Sequence, residues 1–242
     1  MSYILEVNDA TKKFSGLMAN EAITFNVEAG EVLGVVGPNG AGKTTLFNSL
    51  SGVHQLTRGT IKFDGRDITK LNSHQICKLG IGRTFQIPQA ITTLTVEENV
   101  LIGALCHTNN MKEARAHAEK TIEVCDLAAL AKKPASVLNV AQKKRLEIAR
   151  AYATDPKLLL LDETMAGLTA TERAESVELI RAINAKGVSI LTIEHNMDVV
   201  MSVSNRVVVL NAGKVLAIGK PEEIVANEAV IEAYLGGGKK DA

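Results

Sequence analysis

The stretch Gly37-Pro38-Asn39-Gly40-Ala41-Gly42-Lys43-Thr44-Thr45 restricts this chain more than any other. It follows Val32-Leu33-Gly34-Val35-Val36, an apolar run that predicts a buried parallel strand, and leads into Leu46-Phe47-Asn48-Ser49-Leu50, which continues as a helix. Gly37, Gly42, Lys43 and Thr44 fit the phosphate-binding pattern G-x-x-x-x-G-K-[ST]. Without that flanking context the same residues would read as an ordinary glycine-rich turn. Within it, the glycines let backbone N–H groups turn inward around phosphate oxygens, with the positive end of the helix behind them. Lys43 is then placed to neutralise β- and γ-phosphates, and the Thr44 hydroxyl to ligate Mg²⁺.

The 242 residues suffice for one large domain, or a core with a subdomain. Hydrophobic content of 46% with 22% charge is that of a globular protein, and 27 basic residues balance 27 acidic ones. A neutral chain has no global pull toward nucleic acid or anionic lipid. The absence of Trp and the scarcity of aromatics argue further against a base-stacking surface. The opening Met-Ser-Tyr-Ile-Leu-Glu-Val does not resemble a signal peptide, and no run approaches the roughly 18 apolar residues of a membrane span. Cys77, Cys106 and Cys125 lack metal spacing and fit plain packing in a reducing compartment.

Taken in order, residues 3–29 predict antiparallel strands, Tyr3 to Val7 and Ala22 to Val27, with Phe14 in their connection. Gly59 to Gly65 reads as a strand entering a turn, and Ile81 to Gln86 as a short strand ending on a polar residue. Thr95-Val-Glu-Glu98 is a capping box for a helix from Val96 to Cys106, and a second helix is expected from Met111 to Leu130. Residues 88–153 hold no strand signal and read as a helical subdomain inserted in an α/β core formed by 1–87 and 154–242. Lys157-Leu-Leu-Leu-Leu-Asp162 has the look of a central parallel strand buried on both faces. Thr169-Ala-Thr-Glu172 caps the next helix, and Val188 to Ile193 is another buried strand. A hairpin is expected around Asn211-Ala-Gly213, followed by two terminal helices from Pro221 and Ala229.

A phosphate loop alone names a nucleotide binder. Asp162 and Glu163 add hydrolysis, because a strand buried on both faces has no structural need for paired acids at its end. Asp162 would hold Mg²⁺ through water, and Glu163 would polarise the attacking water. Glu194-His195 closes the next strand, where His195 could reach the γ-phosphate or that water.

These residues, in this order, make the chain resemble the nucleotide-binding subunit of an ATP-binding-cassette transporter over nearly its whole length. The resemblance implies a P-loop α/β core with a mixed sheet, an antiparallel β subdomain and the helical insertion. It also implies that Phe14 stacks on adenine, that Gln86 links Mg²⁺ and water to a membrane partner, and that His195 is the switch histidine. Leu138-Asn139-Val140-Ala141-Gln142 stands at the signature motif, just before a helix from Lys143 to Arg150. Through that motif Asn139, Ala141 and Gln142 would complete the site of a second ATPase subunit paired head to tail, homodimeric or heterodimeric. Ala166 to Thr169 is the dimer-interface loop. Ile87, Ile91 and Leu94 would line the groove for a transmembrane permease. The implied cofactors are ATP and Mg²⁺, the implied place the inner face of the cell membrane, and a solute-binding protein is an indirect partner. Gly82 to Pro88, Leu94 to Val100, Ile193 to Val200 and Ala229 to Gly236 resemble the branched-chain amino acid importers, and more distantly urea, amide and lipopolysaccharide systems.

The signature departs from the family's Leu-Ser-Gly-Gly-Gln. Asn139 replaces Ser, and the Cβ of Ala141 can cost both room and a favourable dihedral where glycine is usual. Thr164 replaces the common Pro, and Thr169 stands where Asp or Asn is usual. The site owned by this chain is therefore intact, while the one it completes for a partner looks impaired. Cassette proteins acting on ribosomes or DNA usually carry two cassettes or a coiled coil, and neither is present. A low-turnover nucleotide switch and a small P-loop kinase are the other readings; the kinase leaves Glu163, His195 and the signature region unexplained.

Overall fold

The computed structural model describes residues 3–85, 90–194 and 196–235. Two sheets organise them. The first is antiparallel, in the order β2-β1-β4-β5, from β1 (Tyr3–Phe14), β2 (Leu17–Glu28), β4 (Arg58–Phe63) and β5 (Arg66–Asp67). The second holds six strands, built on β3 (Val32–Val36), β6 (Ile81–Arg83), β7 (Leu158–Asp162) and β8 (Ser189–Ile193), with the hairpin β9 (Arg206–Asn211) and β10 (Lys214–Gly219) at one edge. Its order is β10-β9-β3-β8-β7-β6, parallel except for that hairpin.

The four leucines of β7 show why this sheet forms. Leu158 and Leu160 bury into a core shared with β1, β2 and the phosphate-loop helix α1 (Lys43–Leu50). Leu159 and Leu161 bury into another on the opposite face. Strand side chains alternate sides, so an unbroken apolar run is what a strand covered on both faces requires. The second core is continuous with the helices α3 (Val96–Ala104), α4 (Met111–Val124) and α5 (Val140–Tyr152), and with α6 (Ala170–Asn184). Between Arg83 and Leu158 the described residues contain helices and turns but no named strand.

Several expectations are corrected. The first two strands run twelve residues each, longer than their alternating stretches, since register shifts between Val7 and Ala10 and positive φ at Asp9 (53°) and Ala22 (52°) interrupt the alternation within them. Phe14 is accordingly the last residue of β1, not part of the connection. β6 ends at Arg83; Gln86, its expected last residue, lies outside the described residues. α3 stops at Ala104, and α4 stops at Val124, with a separate 3-10 turn over Ala128–Leu130. Two short helices carry little periodicity and were not expected, α2 (Ser73–Leu79) and α7 (Met197–Val203). The terminal helices are α8 (Pro221–Val225) and α9 (Glu228–Leu235). The three cysteines are free, and Cys77 and Cys106, far apart in sequence, bring their sulfurs within 3.6 Å.

Candidate functional site

Strand register sets the site. Val35 of β3 and Asp162 of β7 both pair with Ile193 of β8. The phosphate loop, Asp162-Glu163 and Glu194 therefore leave the sheet along one carboxyl edge, where open α/β sheets bind ligands. His195 follows Glu194 but lies outside the described residues.

The loop from Gly37 to Gly42 is shaped by its neighbours. At Gly37 (φ 152°) a Cβ would stand 2.1 Å from the Leu210 carbonyl oxygen, and at Gly42 (φ 98°) 2.4 Å from both the Ala19 oxygen and Asn20 Nδ2. No L side chain fits either position. Buried Asn20 donates to the Gly42 carbonyl (3.1 Å), and Gly213 N–H donates to that of Ala41 (3.1 Å). Asn39 and Gly40 are exposed, Pro38 and Thr45 half-buried, and Thr44 presents itself to solvent at the start of α1. Lys43 is 6% exposed and folds over the loop, donating to the carbonyls of Gly37 (2.6 Å) and Pro38 (3.0 Å). Burial pulls its pKa down, while the charges of Glu163 and Asp162 push it up, so the ammonium stands within the field of both acids.

Asp162 is almost wholly buried at the end of β7, its N–H donating to Thr84 Oγ1 (3.0 Å) and its Oδ2 accepting from Arg83 (3.1 Å). Arg83 also donates to Asn48 Oδ1 (2.8 Å) and Ser51 Oγ (2.6 Å), tying the acid to α1. Glu163 has φ 52°, its N–H donating to the Ile193 carbonyl (2.9 Å). Thr44 and Asp162 offer oxygen donors only, the set that suits Mg²⁺ carried by a nucleotide. Gln86, the third expected donor, lies outside the described residues.

Phe14, half-exposed at the tip of β1, meets the His54 ring edge-on at 5.2 Å and carries Lys12 Nζ 4.9 Å from its centroid. The signature region differs from expectation. The helix begins at Val140, and Asn139 is its N-cap, accepting from Gln142 N–H (2.8 Å) while Gln142 Oε1 accepts from Asn139 N–H (3.1 Å). Asn139 and Gln142 thus satisfy each other in a capping box. Ala141 sits inside the helix and is not among the positive-φ residues, so its Cβ carries no dihedral penalty. A cavity of about 470 Å³ adjoins Phe85, lined by Val53, Ile76, Cys77, Phe85, Ile102 and Cys106. Ile91 and Leu94 are not among its lining residues, and Ile87 is outside the described ones.

Four residues escaped the sequence reading. Lys144 and Glu147 sit in a charged run of α5 to which the sequence alone assigns no role, yet both are buried. Glu147 Oε1 accepts from Phe85 N–H (2.9 Å), and Lys144 reaches the loop after β7. Tyr234 of α9 has its phenol pushed up by burial, with the backbone of Gly37 in the phosphate loop opposing the shift. Glu194, 3% exposed, accepts from Met165 N–H (3.1 Å) and from the hydroxyl of Thr164 (3.3 Å), the residue standing where Pro was usual.

Burial pushes the Glu194 carboxyl up from 4.5 to about 7, and nearby Glu163 adds to this while the two hydrogen bonds and Lys144 oppose it. The folded chain therefore holds this proton more tightly than the unfolded one. The resulting stability is complete below about pH 4.5 and is lost as pH rises through about 7, a difference of roughly 3 kcal/mol. Glu194→Gln, which cannot ionise, should therefore gain stability relative to the parent chain between about pH 5 and pH 8. Thermal melting of both proteins across that window checks it, and a constant gap between them would refute it.

Residues 20–166 match the family described as ABC transporter, and residues 214–240 match that described as branched-chain amino acid ATP-binding cassette transporter. The chain is 40% identical over 249 residues to the high-affinity branched-chain amino acid transport ATP-binding protein BraF of Pseudomonas aeruginosa, covering 96% of this chain and 98% of that one. It is 38% identical to the probable branched-chain amino acid transport ATP-binding protein LivG of Archaeoglobus fulgidus, covering 96% and 95%. Among solved structures, MJ1267, an ATP-binding cassette of an ABC transporter, superposes with a TM-score of 0.89 at 30% identity over 97% of this chain and 99% of that one.

Proposed function

The chain belongs to the ABC transporter ATP-binding family, and from that premise we propose that it is the ATP-hydrolysing subunit of an importer of branched-chain or other hydrophobic amino acids. The observation that carries the chemistry is the meeting of Lys43 with Asp162 and Glu163 at one sheet edge. The match of residues 214–240 supports the solute class.

The phosphate loop binds the triphosphate with Lys43 and its backbone N–H groups, and Phe14 takes the adenine. Mg²⁺ bound with ATP would offset phosphate charge at Thr44, Asp162 and Gln86. Glu163 accepts the proton of the attacking water, and His195 orients the terminal phosphate. Core segments 1–87 and 154–242 supply these groups, and segment 88–153 supplies the signature. Asn139, Ala141 and Gln142 face the phosphate loop of a second ATPase subunit, and the cavity beside Phe85 receives a helix of the permease. That docking holds the chain at the inner face of the membrane; among the described residues no helix is long and apolar enough to cross one.

The test is hydrolysis by the chain assembled with its permease and partner ATPase in proteoliposomes. Leucine, isoleucine or valine, presented with the solute-binding protein, should stimulate turnover several-fold. Stimulation by urea, short amides or a lipopolysaccharide instead would overturn the solute assignment. Hydrolysis unaffected by any permease would overturn the transport role.

A further inference from the structure

Glu163 carries a left-handed backbone (φ 52°), which a residue with a Cβ adopts at a cost and keeps only where its surroundings over-determine it. Two buried side chains outside the phosphate loop, a lysine and a carboxyl, supply that determination. From α5, the Lys144 ammonium (8% exposed) donates to the carbonyls of Glu163 (2.9 Å) and Ala166 (2.7 Å). From the end of β8, one oxygen of Glu194 accepts both Met165 N–H (3.1 Å) and the Thr164 hydroxyl (3.3 Å). The loop is thus gripped at each of its residues from 163 to 166, by two elements remote from each other in sequence. Burying a polar or charged group is unfavourable unless it is well hydrogen-bonded, and both of these side chains direct their bonds at this one loop.

We propose that Lys144 and Glu194 are positioning residues for hydrolysis, holding loop 163–166 in the strained turn that sets the Glu163 carboxylate at the sheet edge. The inference rests on Glu163 being the catalytic carboxylate. Neither residue need touch nucleotide. Their loss should let the turn relax, misplacing the base while leaving the phosphate loop as it is.

The experiment combines backbone hydrogen exchange on the full chain with steady-state hydrolysis by its ATPase dimer, for Glu194→Ala, Glu194→Gln, Lys144→Met, Thr164→Val and Glu163→Gln. In Glu194→Ala, protection of the Met165 amide should fall about tenfold, the effect of one lost hydrogen bond. The kcat should fall at least about tenfold with KM for ATP within about twofold, the split expected of a group acting after binding. Glu194→Gln keeps an acceptor oxygen and should restore both within about threefold. Lys144→Met should follow Glu194→Ala, and Thr164→Val, which deletes only the hydroxyl, should fall between and serves if the alanine variant does not fold. Unchanged Met165 protection, a glutamine variant as impaired as the alanine one, or a loss confined to KM would overturn the proposal. Glu163→Gln separates the two levels. If it hydrolyses at the parent rate, the reading of Glu163 fails. If it is inactive while Glu194→Ala runs at full rate, only the positioning role fails.

Discussion

Glu163→Gln is expected to lower ATP hydrolysis by roughly 10²- to 10⁴-fold, the range for removing a positioned general base, while nucleotide affinity stays within about twofold. The substitution keeps the size of the side chain and leaves the backbone hydrogen bonds of the residue in place, the N–H to the Ile193 carbonyl and the carbonyl from Lys144. What disappears is the ability to take a proton from water. The site of binding, by contrast, is the loop from Gly37 to Thr45, whose shape depends on Leu210, Ala19 and Asn20 and not on this carboxylate. The loss should therefore appear in kcat. Steady-state hydrolysis alongside titration with a fluorescent ATP analogue checks it. Turnover at the parent rate would remove Glu163 from the chemistry, and collapse of binding together with turnover would make it a structural residue.

What could be read in advance has a physical pattern. The phosphate loop and the two acids after β7 were legible because each sits directly after an apolar run whose burial is written in consecutive residues. β7 needs apolar side chains toward two cores, so the change from Leu161 to Asp162 marks the edge of the sheet by itself. The bulges of β1 and β2 were not legible, since positive φ at Asp9 and Ala22 breaks the alternation that makes a strand visible. The dihedral cost expected at the signature does not arise, for a related reason. Glycine at a ligand-facing position argues for an unusual dihedral, but Ala141 lies in ordinary helix, two residues after the Asn139 cap, which leaves its methyl group as the cost in room. Lys144, Glu147 and Glu194 were missed because their partners are other segments. In sequence Lys143-Lys144-Arg145 is a charged stretch, and only the packing of α5 decides that the middle residue turns inward to the loop after β7.

Lys43→Ala is expected to weaken ATP binding on the order of 10- to 100-fold and to abolish hydrolysis, losing at least about 10²-fold beyond the binding effect. The lysine is buried, and its ammonium donates to the carbonyls of Gly37 and Pro38, so it spans the hollow that the loop encloses. Burial works against its charge, and Asp162 and Glu163 work for it. An arriving triphosphate brings more negative charge to the same place, so binding strengthens an ammonium that the free protein already holds with effort. Alanine removes this cation and leaves the two acids facing the incoming phosphates with like charge, which is why the penalty should exceed that of one hydrogen bond. Lys43→Arg separates charge from shape. The guanidinium keeps the charge but is a planar fork, and it must fit where a compact ammonium now meets two carbonyls of one tight turn. It too should lose hydrolysis, though it should retain more affinity than alanine. Binding isotherms and hydrolysis rates for both variants decide this. Full activity in Lys43→Arg would show that the site asks only for a positive charge, and full activity in Lys43→Ala would displace the phosphate loop as the seat of the chemistry.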